Sequence, residues 1–158
     1  AYLEAKFGCP RRAAEIYGHI AERAEAAGLK LNLAAIERAP DTTDAHRLIR
    51  WAGTEGCQAA VVAALFAAYF ERGQDISNHG VLRHVAGAAG MDMARVARRL
   101  AGAADRDAVI AADCAARARG VTGVPTFIID GTYLVDGAQP AASWTRIIDE
   151  TAGAGASA

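Results

Sequence analysis

Gly120-Val121-Thr122-Gly123-Val124-Pro125-Thr126-Phe127-Ile128-Ile129-Asp130-Gly131-Thr132-Tyr133-Leu134-Val135 is the stretch where the chain changes period. Thr126 to Ile129 is β-branched and aromatic, Asp130-Gly131 is a two-residue hairpin turn signal, and Thr132 to Val135 supplies the returning strand. That turn sets the register. Two strands alone are marginal in water, and a pair this rich in Val, Ile and Phe has two faces to cover. The expected sheet is therefore incomplete: missing strands precede residue 1, another chain supplies them, or the helices close over the edge.

Upstream of this stretch the pattern is helical. Ala13, Ile16, Tyr17, Ile20, Ala24 and Ala27 follow helical spacing, and Gly28 takes the C-terminal cap. Leu29, Leu31 and Leu33 alternate with Lys30 and Asn32, predicting a short extended piece before Pro40. Asp41 caps the next segment with Asp44 three residues on, Leu48, Ile49 and Ala52 form its buried stripe, and Gly53 and Gly56 end it. Cys57 to Arg72 is apolar on nearly every face, the pattern of a helix surrounded by others. Gly73 closes it. Ser77 is the expected cap of a helix carrying Val81, Leu82, Val85 and Ala89, and Asp92 caps one through Val96, Ala97 and Leu100. A last helix, about Asp105 to Arg119, ends at Gly120.

Downstream, Pro140 stands where a first-turn proline is tolerated, and Trp144, Ile147 and Ile148 give a closing helix its inner face. Thr151 to Ala158 reads as a flexible tail.

Composition narrows the function classes. Lys and Arg total 17 against 18 Asp and Glu, a net charge of -1, which provides no electrostatic footprint for nucleic acid or an anionic membrane. The longest strongly apolar run, Ala59 to Phe70, is 12 residues, short of the roughly 20 that span a bilayer. At 158 residues the chain is expected to be one domain, or a large piece of one. It opens on Ala1, and Ala1 to Gly8 reads like the interior of an ordered element, which an engineered start, a proteolytic fragment or a further portion upstream would each explain. No signal peptide is recognisable in what is present.

Cys9, Cys57 and Cys114 are far apart in sequence and odd in number. That argues against a disulfide-stapled secreted fold or a zinc knuckle and points to a reducing cytoplasm. Cys57 and Cys114 are expected inside helices as small hydrophobes. Cys9, beside Pro10, Arg11 and Arg12, is expected as an incidental surface thiol of somewhat lowered pKa. His19, His79 and His84 show no ligand spacing, so no metal site is expected, and no cofactor. Gly87, Gly90, Gly102, Gly120 and Gly123 assemble no nucleotide-binding loop.

The segment Gly120 to Phe127 resembles the cis-proline loop of thioredoxin-fold proteins. With Ile128-Ile129-Asp130-Gly131 and Gly137-Ala138-Gln139-Pro140 it is similar to the FrnE-type branch of the DsbA family. Pro40 to Leu48, Ala64 to Phe70 and Asp75-Ile76-Ser77 resemble that branch's helical insertion, although Asp41 stands where Asn is usual. The resemblance implies an α/β, thioredoxin-like (DsbA-like) fold with a large all-α insertion. Its N-terminal strand-helix-strand unit is absent, so the chain is mainly α-helical. The implied organisation is a helical insertion subdomain over 1–119, a cis-proline loop, hairpin and helix over 120–150, and the tail over 151–158.

The implied activity is that of a protein thiol–disulfide oxidoreductase. In the family a Cys-x-x-Cys thiolate at a helix N-terminus attacks a substrate disulfide through a mixed disulfide. This chain has no Cys-x-x-Cys, so no residue is assigned as catalytic and the chain alone is expected to be inactive. The resemblance implies that Gly123, Val124 and Pro125 bind substrate, Val124 pairing its backbone with an extended peptide. His46 is expected either as a structural histidine or at the cleft. The implied partners are protein or peptide thiols and disulfides, glutathione, and either a second copy or the missing N-terminal segment. Two other functions stay open: a glutathione-dependent isomerase or kappa-type transferase with serine as the activating residue, and a non-catalytic binding module using the sheet edge.

Overall fold

The computed structural model describes residues 10–155. In chain order they form α1 (Pro10–Ala26), a 3-10 turn (Leu33–Ala35), α2 (Thr43–Thr54) and α3 (Gln58–Phe66), which continues into a π-helical turn (Ala67–Glu71). Then come α4 (His79–Ala88), α5 (Met93–Ala101), α6 (Arg106–Ala118), β1 (Thr126–Ile129), β2 (Tyr133–Asp136) and α7 (Ala141–Gly155). The chain divides into two compact units, one through Ile110 and one from Ala111 onward.

The helical unit is built by α2 packing on α3 and α4, and by α4 packing on α3 and α5. Its core includes Leu48, Trp51, Val61, Leu82, Val96 and Leu100, all nearly solvent-free. Full burial of a Leu or Val side chain stabilises by about 1.5–3 kcal/mol, so this cluster is the main cohesive force of the unit. Caps end the helices where the chain must turn. Asp92 accepts from the N–H groups of Ala94 and Arg95, satisfying donors left without helical partners. α1, α2 and α4 close at Gly28, Gly56 and Gly90, all at positive φ, each followed by a residue whose N–H reaches back five positions.

Four local expectations change. Leu29 to Leu33 forms no strand. The N–H of Asn32 instead donates to the carbonyl of Phe70 at 2.7 Å, which lies in the π-helical turn. α2 starts at Thr43 with Thr42 in the cap position, and Asp41 accepts from the Thr43 N–H at 2.9 Å. Its buried face includes Arg47 and Trp51, while Ile49 is only partly buried. α4 is capped by Asn78, whose side chain accepts from the Gly80 N–H at 2.7 Å. Ser77 is not free to cap, because its N–H and hydroxyl both donate to Asp75, at 2.9 and 2.6 Å.

In the second unit β1 and β2 pair antiparallel in the register Thr126↔Asp136, Phe127↔Val135, Ile128↔Leu134 and Ile129↔Tyr133. The Asp130-Gly131 turn forms, both residues at positive φ, and the Thr132 N–H donates to the Ile129 carbonyl at 3.1 Å. Thr132 nevertheless stays in the loop, so β2 begins at Tyr133 and the pairing moves one residue from the two-residue expectation. The extra residue puts Phe127 opposite Val135 rather than Leu134, reversing which β2 side chains share its face. Phe127 packs edge-on against Trp144 of α7, ring centroids 4.6 Å apart. Ile147 is half-buried, whereas Ile148 is 59% exposed and does not join the inner face. α7 also continues through 151–155, which were expected in the tail; 156–158 lie outside the described residues.

Candidate functional site

The loop between α6 and β1 is positioned from both ends. At its start Gly120, at φ 91°, donates its N–H to the Arg117 carbonyl at 2.9 Å, and the Val121 N–H reaches the Ala116 carbonyl at 3.2 Å. Only a residue that adopts positive φ cheaply completes this cap, and glycine is the usual choice. At its end the loop runs into β1, whose ladder extends one step beyond the strands: the Gly137 N–H donates to the Pro125 carbonyl at 2.7 Å. The Val124–Pro125 peptide is cis.

Between these anchors Gly123, Val124 and Pro125 are exposed, Val124 at 92%. Among the described residues neither the N–H nor the C=O of Val124 has a hydrogen-bond partner. No other atom of the protein would crowd a Cβ built at Gly123. The loop thus offers one unsatisfied donor and one unsatisfied acceptor from the same residue, the arrangement an extended strand pairs with.

A second loop braces the first. The Thr126 hydroxyl lies 2.7 Å from the Gly123 carbonyl and 2.8 Å from a carboxylate oxygen of Asp136. Gln139 donates its side-chain N–H to the Asp136 carbonyl at 2.7 Å. Thr126, Asp136 and Gln139 were not among the expected site residues. Their signal was present only in the pairing of Thr126 with Asp136, which depends on the register. Elsewhere in this unit a groove of about 290 Å³ is lined by Tyr133, Leu134, Val135, Ile147, Glu150 and Thr151. It carries one carboxylate, Glu150, and no cysteine.

The other expected residues lie apart from this loop in sequence and role. His46 is exposed on α2, and its Nδ1–H donates to the Thr42 carbonyl at 2.8 Å, serving its own helix. Cys57 is partly buried at the start of α3. Cys114 is exposed on α6 rather than set among buried apolar neighbours. Cys9 lies outside the described residues. Among the described residues no group of three His, Cys, Asp or Glu side chains could hold a metal ion, and no helix is long and apolar enough to cross a membrane.

The most connected polar cluster belongs to the helical unit. The Arg47 guanidinium is 1% exposed and donates to the carbonyls of Ala104, Arg99 and Gly102 and to Asp44, each at 2.7 Å. His79 donates to the other Asp44 oxygen at 2.7 Å. Burial is the largest influence on Asp44 and opposes ionisation, but the hydrogen bonds from Arg47 and His79 outweigh it and hold its pKa below the ordinary value. Asp105 accepts from the Trp51 indole N–H at 2.8 Å. That bond, helped by Arg50 and Arg99, keeps its pKa low despite some desolvation. Arg99 also stacks 4.4 Å over Trp51. All three nitrogens of the Arg47 guanidinium bond to the protein itself, so the cluster ties the end of α5 and the following loop to α2.

A family model described as a DSBA-like thioredoxin domain matches residues 2–148. The crystal structure of a probable DsbA oxidoreductase from Streptomyces coelicolor superposes with a TM-score of 0.83 at 32% sequence identity. The match covers 96% of this chain and 65% of that one, so the chain spans just under two thirds of its structural relative. No curated protein matches the sequence.

Proposed function

The chain belongs to the DSBA-like thioredoxin domain family, and on that premise we propose that it is the substrate-facing portion of a protein thiol–disulfide oxidoreductase of the FrnE-type branch. The family match over 2–148 carries this reading. The Gly137-Ala138-Gln139-Pro140 turn supports the branch. The nucleophile belongs to a Cys-x-x-Cys outside these 158 residues, since none of the three cysteines stands in such a pair. The chain by itself is inactive. The scattered cysteines support a reducing, cytoplasmic setting.

In this reading the Val124 N–H donates to a carbonyl of an extended substrate and the Val124 carbonyl accepts a substrate N–H, holding the peptide beside the reactive thiolate. Pro125 has no N–H, which restricts pairing to that one residue. The thiolate attacks one sulfur of the substrate disulfide, and the other sulfur leaves as a thiolate. The second cysteine then attacks the mixed disulfide, leaving the enzyme as disulfide and the substrate as dithiol; oxidation of a substrate runs the same steps in reverse. The open edges of the two-stranded sheet support pairing with the remainder of the protein or with a second copy.

Insulin-reduction assays with the intact protein and with this chain test the proposal. Turnover above free thiol is expected from the intact protein and none from these residues alone. Robust turnover by the 158-residue chain would place the nucleophile within it and overturn the assignment. A serine in place of the first cysteine upstream would redirect the reading to a glutathione transferase.

A further inference from the structure

We infer that the Asp136–Gln139 turn is a positioning device for the Gly123-Val124 backbone, with the Thr126 hydroxyl as its latch. The inference rests on the reading of that backbone as the substrate-pairing surface. Val124 is almost wholly exposed, and nothing packs on it to fix its direction. The loop is held instead by polar contacts just behind it. Thr126 sits at the end of β1 directly opposite Asp136, so its hydroxyl reaches the Gly123 carbonyl on one side and the Asp136 carboxylate on the other.

A hydroxyl has one proton, and here it has two acceptors, so its direction is divided between the loop and the turn. The turn is fixed independently. Gln139 donates to the Asp136 carbonyl, Gly137 at φ 77° bends the chain, and its N–H donates to the Pro125 carbonyl at 2.7 Å. Two contacts on either side of Val124 therefore set how its N–H and C=O are presented. The Gly-Ala-Gln-Pro sequence thereby acquires a physical role, in which the glycine aims its N–H at the loop and the glutamine holds the carbonyl before it. Thr126, Asp136 and Gln139 touch no reacting atom, so they are positioning residues, and their loss should weaken substrate binding more than chemistry.

The substitution Thr126→Val keeps the shape and removes the hydroxyl, whereas Thr126→Ser keeps the hydroxyl. In Thr126→Val, NMR order parameters of the Gly123 and Val124 amides should fall from about 0.85 to below about 0.6. The KM of the intact protein for a disulfide peptide should rise about fivefold, with kcat within about twofold, the size of one hydrogen bond. Thr126→Ser should restore both. Asp136→Asn should be tolerated, because its amide donates to the Thr126 oxygen and leaves the hydroxyl proton wholly to Gly123; Asp136→Ala should fall between.

Unchanged amides in Thr126→Val, a serine variant that behaves like the valine variant, or loosened amides with an unchanged KM would each overturn the inference. A parent protein without turnover would sink the functional reading, and the amide measurements would still decide the latch.

Discussion

The helical unit and the hairpin unit are made from similarly apolar sequence, yet they end in opposite states. In the helical unit Leu48, Val61 and Leu82 are fully buried, and even a guanidinium is enclosed with each of its nitrogens hydrogen-bonded. In the hairpin unit no described apolar side chain is buried, and Phe127, Tyr133, Leu134 and Ile148 are 40% to 59% exposed. The first has a closed core, although Leu29 and Phe66 stay exposed on its surface. The second displays apolar faces, two strand edges and an unpaired Val124 backbone, so its surface is the one that gains most by binding something.

The sharpest way to break this comparison is at Arg47. Its replacement by Ala removes the donor to three carbonyls and to one oxygen of Asp44, which keeps His79 on the other, and removing one partner of a buried ion pair costs about 3–5 kcal/mol. Urea unfolding of a Trp144→Phe background, in which Trp51 alone reports, should show that loss. A change under about 1 kcal/mol, no more than a surface ion pair is worth, would mean the cluster does not hold the unit. Leu82→Ala should cost about 2–5 kcal/mol through transfer and cavity terms. Leu134→Ala on the hairpin should stay within about 0.5 kcal/mol in this chain, as for other surface changes. Equal losses at the two leucines would erase the distinction.

Gly73→Ala sharpens the picture of the π-helical turn. Gly73 is at φ 63°, and an added Cβ would fall on the carbonyl of Ala35, so the loss should be about 1–3 kcal/mol from backbone strain, plus the clash. Unchanged thermal unfolding would contradict that close approach.

The smallest effect is on pH. Asp44 and Asp105 have folded pKa values below their ordinary ones. Their contribution is therefore present above the unfolded pKa, about 3.9, and is lost as pH falls through the folded values. Stability of the helical unit should be flat near neutrality and decline below about pH 4, with a shallower decline in Asp105→Asn. An identical acid limb in that variant would show that Asp105 contributes nothing to the decline.

Features that depend on a few neighbouring residues were readable before the structure: the Asp92 cap, the glycine ends of α1, α2 and α6, and the Asp130-Gly131 turn. Features that depend on distant chain were not. Leu29 to Leu33 alternates like a strand, but its fate was decided by a carbonyl nearly forty residues on, in the π-helical turn. Ser77 has the residue type of a cap, but Asp75 engages both its N–H and its hydroxyl. Nothing in its own helix marks Arg47 for burial; the end of α5 and the loop after it bring the carbonyls that enclose it. At the candidate site Gly123, Val124 and Pro125 were visible from their motif. The brace formed by Thr126 and Asp136 depends on a register offset by one residue, and a turn dipeptide alone does not specify whether Thr132 pairs or stays in the loop.

Hydrogen exchange resolved by residue, on this chain and on the intact protein, tests the central claim that the hairpin is an open half-sheet. In this chain the core amides of α2 and α4 should be strongly protected, while the outward amides of β1 and β2 exchange rapidly; in the intact protein those strand amides should become protected. Hairpin amides as slow to exchange in this chain as those around Leu82 would show that the sheet is already complete, contradicting the claim.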